Sequence, residues 1–148
     1  MVNTERLAET FRALAATGSV SRREGMLAGD LRCRLEALGA EVGIDDTAAK
    51  TGSDTGNLIA RLKGACPVPT LLLNAHMDTV QPGEGISVRF VDGVFTSDGR
   101  TILGADDKSA IAVILEALCV LKERGLAHGP LEIVLTVCEE TGLAGAKN

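Results

Sequence analysis

A short, mainly apolar run, Thr70-Leu71-Leu72-Leu73-Asn74-Ala75, follows Pro67 and Pro69 and ends in His76. A run of that length between turn signals is the pattern of a strand buried on both faces of a parallel or mixed sheet. Two later segments decide what surrounds it. From Asp106 to Arg124, residues Ile111, Ile114, Leu115, Leu118 and Leu121 recur at helical spacing, and Gly125 ends the pattern. Leu131-Glu132-Ile133-Val134-Leu135-Thr136-Val137 is then a further apolar strand. Strand, helix and strand in that order predict an α/β fold: a mixed, largely parallel sheet sandwiched by helices.

The rest of the chain fits around this unit. Leu7, Phe11, Leu14 and Ala15 predict a first helix that starts at Asn3 or Thr4 and runs to Thr17. Ser21-Arg22-Arg23-Glu24 reads as a capping box ahead of a second helix, which carries Leu27, Leu31, Leu35 and Leu38 on one face and stops at Gly39. Strands around Val42-Ile44 and Asn57-Leu62 flank a Gly/Ser/Thr/Asp loop. Ile86-Val91 and Val94-Thr96 are joined by Asp92-Gly93, a dipeptide suited to a tight hairpin.

Composition narrows the function classes. At 148 residues the chain predicts one domain. Its 45% apolar and 24% charged content places it among globular proteins. With three Phe and neither Tyr nor Trp, the core must be aliphatic and no aromatic platform exists for stacking bases. The net charge of -5 and the absence of a Lys/Arg stripe argue against nucleic acid as a partner. Cys33, Cys66, Cys119 and Cys138 are irregularly spaced, which predicts reduced, mostly buried thiols. No basic segment followed by an apolar one opens the chain, so the expected compartment is the cytoplasm. The longest apolar stretch, Ile111 to Leu121, is interrupted by Glu116 and falls short of the ~20 residues of a membrane helix.

In open α/β sheets, ligands bind beyond the carboxyl ends of the strands. Three clusters fall there: His76-Met77-Asp78, Asp106-Asp107 and Glu139-Glu140. Imidazole and carboxylate groups converging on one point suit a divalent cation, and zinc accepts both donor types. Each cluster also has a plain structural alternative, such as acidic residues favouring a helix N-terminus. The conjunction of three strand-end clusters is what points to a site. Other chemistries fail: Gly99 and Gly104 have P-loop spacing without the Lys and Ser/Thr, Cys138 has no histidine placed to activate it, and His128 lies at the opposite edge of the sheet.

Three segments carry a family resemblance. They are Leu73-Asn74-Ala75-His76-Met77-Asp78-Thr79-Val80, Leu103-Gly104-Ala105-Asp106-Asp107-Lys108-Ser109-Ala110, and Val137-Cys138-Glu139-Glu140-Thr141-Gly142-Leu143-Ala144-Gly145-Ala146-Lys147. Together they resemble the dinuclear zinc exopeptidases that include peptidase T, carboxypeptidase G, aminoacylase and succinyl-diaminopimelate desuccinylase, with the peptidase T group nearest. Gly56-Asn57-Leu58-Ile59-Ala60 and Thr96-Ser97-Asp98-Gly99 fit that group as well. The resemblance implies that His76 binds a first zinc, Asp78 orients it, and Asp106 bridges two zincs with a cis peptide to Asp107. It implies that Glu139 is the general base and Glu140 a ligand of the second zinc, with cobalt or manganese as substitutes.

Members of that family are more than twice this length and supply a further acidic ligand, a distant histidine and a smaller domain that closes over the substrate. The expectation is therefore that residues 1–148 form the N-terminal part of a catalytic domain, lacking the lid or dimerisation domain and the C-terminal ligands, and inactive alone. The implied reaction is release of residues from the amino end of short peptides, with hydrolysis of N-acyl amino acids as the alternative within the family. Outside it, the chain reads as a non-catalytic module pairing through an unfinished sheet, as a homodimer or with another polypeptide. A phosphoacceptor role for Asp106-Asp107 is weaker, because Lys108 adjoins the acids instead of arriving from a later strand.

Overall fold

A computed structural model spans residues 1–148. Its elements are α1 (Thr4–Ala16), α2 (Gly25–Ala37), β1 (Glu41–Ile44), α3 (Ala48–Thr51), β2 (Leu58–Leu62), β3 (Leu71–His76), β4 (Arg89–Val91), β5 (Val94–Thr96), α4 (Ala105–Glu123) and β6 (Leu131–Thr136). Asn3 caps α1 by accepting the Arg6 amide, as its side-chain chemistry favours. Gly39 leaves α2 at φ 97, which a side chain would resist.

The main sheet has the order β1-β2-β6-β3. Pairing of β1 with β2 and of β2 with β6 is antiparallel, and β3 runs parallel to β6 with Leu71 opposite Leu131 and His76 opposite Thr136. The mixed α/β architecture read from the sequence is present. Its parallel share is one pairing of three, because β1 and β2 enter as an antiparallel pair beside β6.

Period-two burial decides which side holds the core. Leu58, Ala60, Ala75, Leu131, Ile133 and Leu135 are buried and share one face. Against them pack Leu27, Leu31 and Leu35 of α2, and Ile111, Leu115 and Leu118 of α4, with α1 adding Phe11, Leu14 and Ala15. Helices thus flank one face within this chain rather than sandwiching it. On the other face Leu72 is 57% exposed, and Ile59 and Val134 are only partly covered. The expectation that β3 is buried on both faces does not hold: it is an edge strand with no strand paired to its outer side, and Leu71 is 56% exposed. No helix is long and apolar enough to cross a membrane.

Two further readings need correction. Only Cys138 among the four free thiols is buried; Cys33 lies on the outer side of α2, and Cys66 and Cys119 are half-buried. Nor does Ser21-Arg22-Arg23-Glu24 cap α2, because Glu24 makes no cap hydrogen bond and both polar side chains are used elsewhere.

The two faces predict different costs of truncation. Leu31→Ala removes a fully buried side chain and is expected to cost about 2–5 kcal/mol in urea unfolding. Leu72→Ala on the open face is expected to cost within about 0.5 kcal/mol of nothing. Equal losses would mean that this face is covered in solution.

Candidate active site

Because β3 and β6 are parallel, their carboxyl ends emerge side by side, and α4 begins at the same end. This brings the three sequence clusters together. The ligand atoms of His76, Asp106 and Glu140 all lie within 4.8 Å of one another. His76 Nε2 is 3.0 Å from Asp106 Oδ1 and 4.0 Å from Glu139 Oε2. The Asp106–Asp107 peptide is cis, as the resemblance implied, and both residues depart from helical geometry. The Asp106 side chain stands 83% exposed beside the imidazole.

Asp78 is fully buried and does more than was read from the sequence. Its carbonyl oxygen, rather than its carboxylate, takes the closest contact from His76 Nδ1, at 2.8 Å, with Oδ1 at 3.5 Å. That bond leaves Nε2 aimed at Asp106. The carboxylate mainly accepts from the amides of Glu139 (2.8 Å) and Glu140 (3.1 Å) and from the Ser21 hydroxyl (2.6 Å). Asp78 therefore couples the loop after β3 to the loop after β6.

The surrounding shell was missed. Ser19 Oγ donates to the Met77 carbonyl, and Ser21 N–H donates to that of Thr79. Glu24, also fully buried, accepts the Cys138 amide. Asn57 donates to Asp45, Thr47 and the Gly145 carbonyl while accepting the Val137 amide. Gly145 sits so close that a Cβ would lie 2.1 Å from the Val137 oxygen. The buried Lys108 donates to the Thr17 carbonyl at 2.6 Å. Asn57, Lys108 and Gly145 fall within the segments that carry the resemblance, but no role was read for them; the Ser-x-x-Glu spacing was visible too and has a commoner local meaning.

One imidazole faces several carboxylates, and the titration behaviour follows. Burial would lower the His76 pKa, but hydrogen bonds to Asp78 and Asp106 outweigh it and raise it to about 9. For Asp78, burial works upward, yet the bonds from His76, Ser21 and the two amides hold the carboxyl below its usual range. Glu140 is pushed up by burial and by the charges of Glu139, Asp106 and Asp78, with His76 opposing. For Cys138, burial and the Glu24 charge push the thiol up, so it stays protonated and is a poor nucleophile.

The donor set fits a cation. Two ligands of one tetrahedral zinc, each at about 2.0–2.2 Å, lie about 3.3–3.6 Å apart. His76 and Asp106 are already at 3.0 Å.

Residues 57–148 match the model of peptidase family M28. The chain belongs to that family. It is 44% identical over 147 residues to the protein YqjE of Bacillus subtilis, covering 99% of this chain and 40% of that one. Aminopeptidase PepT from Bacillus cereus superposes with a TM-score of 0.96 at 46% identity, over 99% of this chain and 39% of its own. A tripeptidase from Staphylococcus aureus superposes equally well, with a TM-score of 0.96 at 40% identity, covering 99% and 40%. This M28 chain spans about 40% of the length of those relatives.

A pH dependence follows for the metal-free chain. His76 moves from 6.5 to about 9 on folding, so its contribution is complete below about pH 6.5 and is lost as pH rises through 9. The urea midpoint of chelator-treated protein should exceed that of His76→Asn at pH 6 and converge on it by pH 10. A gap independent of pH would mean that folding does not raise the His76 pKa.

Proposed function

We propose that this chain contributes one side of a divalent-metal centre that hydrolyses short peptides from their amino end. The observation that supports the reading is the convergence of His76, Asp106 and Glu140 within 4.8 Å at the carboxyl ends of adjacent strands. Likeness to an aminopeptidase and a tripeptidase at 40% identity or more favours a peptide substrate. The intended occupants are two zinc ions, with cobalt or manganese as substitutes.

In this reading His76 would hold a first ion and Glu140 a second, with Asp106, which carries two carboxylate oxygens, available to both; a single ion would be shared among the three. A bound divalent ion supplies Lewis acidity towards a carbonyl and a lower pKa for water. Glu139 stays free of the metal and, 4.0 Å from His76 Nε2, is the base that takes the proton from water and returns it to the leaving amine. Asp78 keeps His76 and the two glutamates in register. Two four-coordinate ions need more donors than these three residues offer, so the 148-residue chain is proposed to bind one metal weakly and to leave peptides intact.

A second reading rests on the exposed Leu71 and Leu72 of the edge strand β3. An open strand edge is a template for pairing, which supports assembly with further polypeptide or with a second copy.

Cobalt titration followed by absorption tests the metal assignment. The chain should bind Co2+, Glu140→Gln should weaken binding, and Glu139→Gln should leave it nearly unchanged; equal losses in both variants would refute the division of roles. Tripeptide turnover by the chain, stopped by a chelator and restored by Zn2+, would overturn the proposed inactivity and require ligands from a second copy.

A further inference from the structure

The turn that carries Glu139 and Glu140 is held at three consecutive amides by two buried carboxylates from different parts of the chain. Cys138 N–H donates to Glu24 Oε1 at 3.0 Å, Glu139 N–H to Asp78 Oδ1 at 2.8 Å, and Glu140 N–H to Asp78 Oδ2 at 3.1 Å. Cys138 lies at φ 55, a conformation that side-chain-bearing residues seldom adopt without outside support.

Glu24 has no cation beside it. Its remaining oxygen, Oε2, takes the Ser53 hydroxyl at 2.5 Å, and Oε1 also meets the Cys138 thiol at 3.6 Å. A fully buried acid held only by neutral donors is a costly arrangement. An apolar residue would serve better if filling space were the only task. Within the segment around Glu24 the tasks are divided: Ser19 and Ser21 grip the loop after β3, while Glu24 takes the Cys138 amide in the loop after β6, where the Arg22 amide meets the Cys138 thiol.

We propose that Glu24 is a positioning residue for the acid pair, fixing the Cys138 amide so that Glu139 and Glu140 face His76 and Asp106. This deepens the metal-centre reading and rests on it. Glu24 touches neither substrate nor metal and acts only through the turn. Its carboxylate and that of Asp78 set the two ends of a three-residue frame, and loss of either lets the glutamates swing away from the imidazole.

Amide hydrogen exchange and Co2+ binding, measured well below the melting temperature, test this together. In Glu24→Ala the amides of Cys138, Glu139 and Glu140 should lose protection while those of Leu131 to Thr136 keep theirs, and Co2+ affinity should fall about 10–100-fold. Glu24→Gln keeps an acceptor for the Cys138 amide and should recover most of both. If Glu24→Ala lowers only the melting temperature, with exchange in the turn and Co2+ affinity unchanged, Glu24 is packing and the proposal fails. A Gln variant as impaired as the Ala variant also overturns it, since the lost feature would then be charge rather than the hydrogen bond. Should Glu24→Ala not fold, Ser53→Ala frees one side of the carboxylate and must loosen the same three amides. A wild-type chain that binds no Co2+ refutes the metal reading separately, and exchange in the turn still decides the positioning.

Discussion

The parallel ladder between β3 and β6 is the constraint from which the site follows. With His76 opposite Thr136, both strands leave the sheet at the same end, and two residues later Asp78 is within reach of the Glu139 and Glu140 amides. Core packing selects that register. Leu73 and Ala75 lie beside Ile133 and Leu135 on the covered face, and a slip of one residue would turn each of them to the other side. The hydrophobic requirement of the sheet and the placement of the imidazole are thus a single choice.

Carboxylates in the site fall into two kinds by what satisfies them. Asp78 and Glu24 are buried and take backbone amides and hydroxyls, so their oxygens are committed to geometry. Asp106 receives only the imidazole. Glu140 is crowded by the charges of Glu139, Asp106 and Asp78, which a cation would relieve. Framing acids and acids left free for a cation are distinguished here by supply of N–H donors, not by residue type.

Much of this was legible in the sequence. The apolar periods of α1, α2, α4 and β6 match their buried residues, and the three acidic or imidazole clusters do meet. What was not legible depends on tertiary neighbours. Leu71-Leu72-Leu73 has the same apolar pattern at an edge as it would in a sheet centre, so burial on both faces could not be told from a one-sided strand. Cys33 sits between the buried Leu31 and Leu35 yet on the outer side of α2. The four-residue α3 was missed because a single turn has no period to detect.

Ser21 and Glu24 show how a local rule can conceal a distant contact. Ser-x-x-Glu ahead of an apolar run satisfies free amides at a helix start when nothing else competes. Here, two loops arriving from β3 and β6 present stronger claims: a buried carboxylate needing a donor and a buried amide needing an acceptor. Leaving those unpaired inside the protein costs more than leaving a helix start to water. The first turn of α2 accordingly forgoes its side-chain cap; the Gly25 amide is taken by Asp54 instead. The stability of α2 then comes from Leu27, Leu31 and Leu35 against the covered face of the sheet. Site and core thus meet in one segment: Ser19, Ser21 and Glu24 hold the two loops, and the helix that follows them packs on the covered face.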